Sequence, residues 1–408
     1  MPYIRAHSLA KQRLLRGYLE RYVSVLTARP KQDQFRLTLI DGFAGGGLYR
    51  DKNSDEIVSG SPLIMLEAME LAHLAAQAIR DKPFHLDAHF IFVEKNPSAF
   101  DHLKSVLENS RFSPMLSDRV KLLKGEFSTH ADGISNLVKQ RAGRSIFVLD
   151  QFGYKDVPLP IIRQILTTLP KAEVILTFAA DSLIDYLSHD EATQRRLERS
   201  GISLPAQDIQ TAKSSQDWRR TIQFGLHRDI PQQTEAKFYT PFFIRSTESH
   251  RDLWLIHLSG HYRARDVMMG LHWQESTAFA HYGRSGLRML GYDPSLDSEW
   301  SGQQMLPGFF FDETARASSQ AELQEQLPEV IHPFANGITF NELFAQVTND
   351  CPVTAQIMME VTGDLVREGL IKVRSSKGSS RRFGVLRGSD IVIPSRQKRL
   401  FLPRHNEP

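Results

Sequence analysis

Residues 37–49, LTLIDGFAGGGLY, constrain this chain more than any other stretch. Leu37, Leu39 and Ile40 form a short apolar run, the pattern of a buried parallel strand. Asp41 ends the run, and Gly42, Gly45, Gly46 and Gly47 follow it. Glycines placed directly after a strand let the backbone approach a ligand closely. The spacing reads D-x-F-x-G-x-G through Asp41, Phe43, Gly45 and Gly47, with Ala44 between. A dinucleotide loop needs G-x-G-x-x-G, and Arg50 stands where the third glycine belongs. The G-K-[ST] of a Walker loop is also missing. The loop therefore suits a ligand that brings no phosphate to it, or is a tight turn with no ligand.

The flanking chain alternates strand and helix. Residues 10–27 place Leu14, Leu15, Tyr18, Leu19, Tyr22, Val23 and Leu26 at i, i+3, i+4, i+7 spacing, an amphipathic helix. After the glycine loop, Ser61 is expected to cap a helix over 63–79, with Pro62 at its first position. Residues 89–93 read as a second strand that delivers Glu94, and 97–108 as a helix. Residues 120–123 make a third strand, followed by Glu126 and Phe127; 133–140 is helical. Residues 145–149 make a fourth strand that delivers Asp150, Gln151, Phe152, Gly153 and Tyr154, and 171–178 a fifth. This alternation predicts βαβ units, a parallel sheet and an α/β fold with helices on both faces. Ligands of such sheets bind outside the carboxyl ends of the strands, where the strand order reverses. Asp41, Glu94 and Asp150 all stand at such ends.

A polar segment over about 188–236 reads as a helical insertion, with helices near 191–199 and 214–226. Residues 242–245 and 252–258 then supply two further strands, antiparallel ones, and His257 reads as a core histidine. No carboxylate or cysteine lies at ligand spacing from the histidines that follow, so no metal site is expected. The single cysteine, Cys351, excludes an internal disulfide and a cysteine-built metal cluster. No apolar run approaches the length of about 18 residues that spans a membrane, and the N-terminal residues do not form a signal peptide. A cytoplasmic protein without a membrane partner is the expectation.

Together, these motifs resemble class I S-adenosylmethionine (SAM) methyltransferases, in particular those that methylate exocyclic amino groups of bases. The set DGFAGGG-Y, GSPL, FVEKN and LDQFGY resembles, more specifically, the three-Cys-motif partner protein family. The resemblance covers residues 10–300 and implies a Rossmann-like class I methyltransferase sheet with SAM as cofactor. It places Asp41, Phe43, Ala44, Gly45 and Gly47 on the cofactor loop, Ser61 on the G-S-P element, and Glu94 on the ribose. Glu126 and Phe127 would stand beside the adenine, or form plain loop. Asp150, Phe152 and Tyr154 would be the catalytic set: the carboxylate accepts from the acceptor amine, and an aromatic ring stacks on an extruded base. Amino methyltransferases carry D/N-P-P-Y/F/W at this point, and the family carries D-P-F-G; here Gln151 stands where proline is expected. The resemblance also implies a partner, a three-cysteine-motif, radical-SAM-like iron–sulfur protein.

These readings divide the chain into a methyltransferase-like domain over 1–272, a loop-rich linker layer over 273–335, and a winged helix over 336–408. Residues 339–347 and 354–368 form the two helices of that last unit, and 371–373 with 383–386 a hairpin around 375–382. From 371 to 404 there are ten Lys or Arg and one acid, Asp390. A basic wing beside a helix-turn-helix is the footprint of nucleic-acid binding, with Lys377, Arg381 and Arg382 on phosphate. Winged helices also serve as protein-interaction modules. Two functions follow: a SAM-dependent N-methyltransferase acting on a nucleic-acid base, or a methyltransferase-like binding protein that does not methylate.

Overall fold

A computed structural model describes residues 2–4, 6–151, 156–178, 183, 187, 190–203, 209, 225–226, 229–245, 252–274, 280–281, 309–378 and 386–395. They fall into two compact units. The first runs to His281 and includes Phe309–Phe311; the second holds the described residues from Asp312 onward.

In chain order the first unit contains β1 (Tyr3–Ile4), α1 (Ala6–Leu26), β2 (Gln34–Asp41), β3 (Leu48–Asp51), β4 (Ile57–Ser59), α2 (Ser61–Ala78), β5 (His85–Glu94) and α3 (Pro97–Glu108). It continues with β6 (Val120–Lys124), α4 (Phe127–Arg141), β7 (Arg144–Leu149), α5 (Leu159–Thr168), β8 (Ala172–Phe178) and α6 (Glu191–Ser200). Strands β9 (Phe238–Arg245) and β10 (Asp252–Ser259), helix α7 (Tyr262–Gln274), and the short strands β11 (Ala280–His281) and β12 (Phe309–Phe310) complete it. The main sheet has the order β12-β11-β9-β10-β8-β7-β2-β5-β6. Strands β2, β5, β6, β7 and β8 run parallel. Strand β10 runs antiparallel to both its neighbours, β8 and β9. Counted along the chain, the seven long strands stand in the order 3-2-1-4-5-7-6 with the seventh reversed. This is the class I methyltransferase arrangement that the sequence predicts.

Both faces of the sheet are covered. All seven residues of β8 are buried, as are Leu37, Leu39 and Ile40 of β2, which explains their unbroken apolar character. The order reverses between β2 and β7, so a crevice opens at the carboxyl ends of these two strands.

Helix α1 runs against the strand direction. Tyr18 reaches Glu173 at the start of β8, and Lys11 reaches Asp150 just past the end of β7. The Tyr18 hydroxyl donates to Glu173 Oε2, and His257 Nε2 lies 3.1 Å from each of them. All three side chains are buried. His257 is thus the partnered core residue that its place in a strand suggested.

The second unit contains α8 (Glu313–Ile331), β13 (Ile338–Thr339), α9 (Phe340–Val347), α10 (Ala355–Arg367), β14 (Ile371–Arg374) and β15 (Ile391–Pro394). Its sheet order is β13-β15-β14, antiparallel throughout. The described elements are those of a winged helix. A capping box between Thr339 and Glu342 starts α9, and the Thr354 side chain caps α10.

Several details depart from the sequence reading. Residues 313–331, expected to be loop or short helices at best, form a 19-residue helix that packs on α10. Its buried row is Ala315, Ser319, Leu323, Leu327 and Ile331. Two of those five are small, and Pro328 sits inside the helix, so the apolar signal is faint. Strand β14 pairs with β15; the expected wing strand at 383–386 lies outside the described residues except for 386. Val392 of β15 is buried opposite Val373, and Asp390 O accepts from the Phe340 amide at 2.9 Å, which ties β15 to α9. Helix α2 begins at Ser61 with Gly60 as its cap, and α4 begins at Phe127. The expected helix at 214–226 lies outside the described residues except for 225–226. No helix among the described residues is long and apolar enough to cross a membrane.

The buried Tyr18–Glu173–His257 cluster generates a test. Tyr18→Phe removes one donor from a buried carboxylate and should cost about 1–3 kcal/mol of stability, read from urea unfolding midpoints. An unchanged midpoint would mean that the hydroxyl does not carry this bond.

Candidate cofactor and acceptor site

The three strand ends bring their carboxylates to one place. Asp41, the last residue of β2, is fully buried. Its Oδ1 accepts the Phe43 amide at 3.0 Å; its Oδ2 is buried and accepts nothing. Burial pushes its carboxyl up to about 7, with the Ser61 side chain and the Phe43 amide pulling down and Asp150 and Glu94 adding to the rise. Glu94, the last residue of β5, sits 9% exposed. It is held by two backbone amides: Gly45 donates to Oε2 at 2.7 Å and Asn96 to Oε1 at 2.7 Å. Each oxygen keeps a further lone pair for an outside donor.

The glycine loop is shaped around this carboxylate. Gly45 and Gly47 adopt φ of +62° and +80°, a region that side chains rarely enter. A Cβ on Gly45 would collide with the Tyr49 hydroxyl, and one on Gly47 would stand 2.9 Å from Leu103. The Gly46 amide interacts with the Tyr49 hydroxyl, and Gly46 O lies 2.7 Å from His102 Nδ1. Burial, then the charges of Asp41, Glu94 and Asp150, push the Tyr49 hydroxyl up to about 12. Tyr49 therefore lies within the field of all three carboxylates. Ala44 is buried, and its amide donates to Val93 O at 2.9 Å.

Asp150 follows β7 and is 41% exposed at its side chain. Lys11 of α1, 12% exposed, donates to both of its oxygens, at 2.6 Å to Oδ2. Gln151 is buried; its Oε1 accepts the Val157 amide at 3.1 Å, and its Nε2 has no partner. A side-chain bond thus ties Gln151 to Val157, at the position where a proline is expected. Phe152 and Tyr154 lie outside the described residues.

Phe127 stands elsewhere than an open adenine site requires. It is buried, with its ring edge-on to Phe147 at 6.4 Å, so it props the sheet from below the loop. Glu126 is exposed at the N-cap of α4. Asp41, Glu94, Gly45, Gly47, Ser61 and Asp150 come together. Lys11, Tyr49 and His102 join them from positions that sequence reasoning did not list. Tyr49 belongs to the quoted motif and was in principle visible; Lys11 and His102 lie in helices, where nothing local marks them. In the second unit Lys377 is exposed, while Arg381 and Arg382 lie outside the described residues. Among the described residues no group of three His, Cys, Asp or Glu side chains could hold a metal.

Comparison with known proteins bears mainly on the second unit. A family model described as GMT-like wHTH domain matches residues 291–378. No curated protein matches the chain. Among solved structures the chain is similar to protein LPL1258 of Legionella pneumophila, at 11% identity over 63% of this chain and 90% of that one, with a TM-score of 0.34. It is similar to an O-methyltransferase of Bacillus cereus in complex with SAH, at 12% identity over 60% and 80%, TM-score 0.30. A third likeness is to Aeropyrum pernix fibrillarin with natively bound SAM, at 10% identity over 60% and 76%, TM-score 0.25. The fold rests on the strand order and register and not on these likenesses.

The buried Asp41 carboxyl makes stability depend on pH. Its pKa is raised on folding, so its contribution is fully present below the ordinary carboxylate range and is lost as pH rises through about 7. The unliganded protein should lose on the order of 3 kcal/mol between about pH 4 and pH 7 from this group. Asp41→Asn should flatten that part of the profile, measured by urea unfolding at a series of pH values. A profile of unchanged slope would place the titration elsewhere.

Proposed function

We propose that the chain is a SAM-dependent N-methyltransferase that acts on the exocyclic amine of a nucleic-acid base, with the winged helix holding the substrate. The observation that carries this reading is the convergence of Asp41, Glu94 and Asp150 on the crevice beside a glycine loop whose backbone conformation excludes side chains. The residues present suit SAM. The buried, unpartnered Asp41 Oδ2 is matched by an ammonium, and an ammonium beside it would favour the ionised carboxylate. Glu94, already fixed by two amides, has lone pairs left for ribose hydroxyls. SAM, when bound, supplies an electrophilic methyl group.

The chain's own residues do the rest. An exocyclic amine on an aromatic ring is a poor nucleophile, because its lone pair is delocalised into the ring. Asp150 accepts its N–H, which localises the pair and orients it. Phe152 or Tyr154 stacks on the base. Asp150 begins with both oxygens engaged by Lys11, so the amine takes over at least one of those bonds as it enters. Lys377, Arg381 and Arg382 grip phosphate.

The Lys11–Asp150 pair and the replacement of the expected proline by Gln151 favour a second reading. In it the site holds its ligand but transfers nothing. The chain then serves as a binding partner of a three-cysteine-motif iron–sulfur protein.

Calorimetry with SAH and labelled methyl transfer to DNA and RNA separate the two. Glu94→Gln should weaken SAH by about tenfold or more, since it loses charge-assisted bonds. Asp150→Asn should leave SAH affinity nearly unchanged and lower transfer by about 100-fold or more. SAH binding without transfer to either nucleic acid would support the partner reading, and no SAH binding would overturn the cofactor.

A further inference from the structure

In a winged helix the second helix of the helix-turn-helix is the one that enters a DNA groove. Here that helix is α10. Ile357, Met358, Val361, Thr362 and Leu365 form its buried stripe. Beside that stripe the helix shows Gln356, Met359, Gly363 and Val366, together with two carboxylates and one cation. Glu360, Asp364 and the C-cap Glu368 face a single cation on this helix, Arg367. Arg367 is already ion-paired with Asp364. Glu360 is taken by Arg316 at 3.0 Å and Gln320 at 3.1 Å, both from α8. A helix lying in a groove has phosphates on either side of it, and its carboxylates are repelled by them.

The wing strand is different. In β14, Ile371 and Val373 are buried while Lys372 and Arg374 are exposed. Exposed Lys377 follows, and the sequence stays basic at Arg381 and Arg382. Among the described residues neither Lys372 nor Arg374 has an ion-pair partner. Alternate residues of a strand stand about 7 Å apart on one side, so the two cations form a row along the strand. Such a row follows a charged backbone and carries no groove-reading geometry.

We infer that this unit binds nucleic acid along the outer face of its wing strand, through Lys372 and Arg374, with α10 held off. The ligand it grips is the sugar–phosphate backbone, independent of base sequence. This rests on the nucleic-acid reading given above and assigns the surface that performs it.

The test uses the full chain and labelled mixed-sequence oligonucleotides of about 20 nucleotides, single-stranded and duplex, between about 50 and 200 mM salt by fluorescence anisotropy. The double variant Lys372→Ala, Arg374→Ala should lower the slope of log affinity against log salt by about two contacts and weaken binding to all sequences alike. Gly363→Glu adds a charge to the exposed side of α10 at a position where a Cβ meets no atom within 4 Å, and it improves helix propensity. It should leave binding unchanged. If Gly363→Glu abolishes binding and the wing variant does not, α10 is the reading element and the inference fails while the nucleic-acid reading stands. A strong preference for one sequence would also overturn it. If the wild-type chain binds no oligonucleotide, the nucleic-acid reading itself falls, and the wing assignment with it.

Discussion

Three carboxylates at the ends of neighbouring parallel strands repel one another, and the centre of the first unit is built around containing that repulsion. Each is handled by different chemistry. Asp41 is buried, which pushes its carboxyl up to about 7. Glu94 is stabilised by the Gly45 and Asn96 amides. Asp150, the most exposed of the three, has the Lys11 ammonium. Buried charges persist only when paired or hydrogen-bonded, and the three solutions span that range. Each leaves a specific capacity open: a bare oxygen on Asp41, spare lone pairs on Glu94, an exchangeable cation on Asp150. A small molecule with both a positive centre and hydroxyl groups would complete all three.

Helix α1 carries the third of these solutions. Lys11, Leu14, Leu15, Tyr18 and Tyr22 follow one another at spacings of one face of a helix. Tyr18 fastens that face to Glu173 and His257, while Lys11 emerges at the crevice. The buried polar cluster at one end of the sheet and the ion pair at the other thus share one rigid element. Arg16 binds Glu67 of α2 as well, so the same helix also faces the helix that follows the glycine loop. A lysine on a loop would have to be ordered each time; this one is placed by tertiary packing two turns away.

The parts legible in the sequence were those written in short-range patterns. The apolar runs ending at Asp41, Glu94 and Asp150 are strands because a buried parallel strand must be apolar on both faces. Gly45 and Gly47 are legible because only glycine enters their backbone region without strain. Helix α8 was not legible because its buried row opens with the small Ala315 and Ser319 before Leu323, Leu327 and Ile331, and Pro328 interrupts the pattern. The pairing of β14 with 391–394 was not legible because that stretch is no more apolar than 383–386; the register of Val392 on Val373 fixes it. Phe127 looked like a ligand residue from its place after the third strand, yet that place is also where a helix starts and turns an aromatic ring under the sheet.

By itself the sequence determined the alternation of strand and helix, the glycine loop after the first long strand, and the chemical types at the three strand ends, since these depend only on side chains within a few residues of one another. It also determined the excess of positive charge after residue 371. Only the tertiary structure decided which cation meets which acid. Lys11 and Asp150 are separated by 139 residues, and nothing local in either stretch names the other. The carboxylates of α10 likewise take meaning only from packing, since α8 brings Arg316 and Gln320 to Glu360. Contacts of that kind follow from strand order and helix packing, and these are settled by burial of the whole core rather than by any single motif.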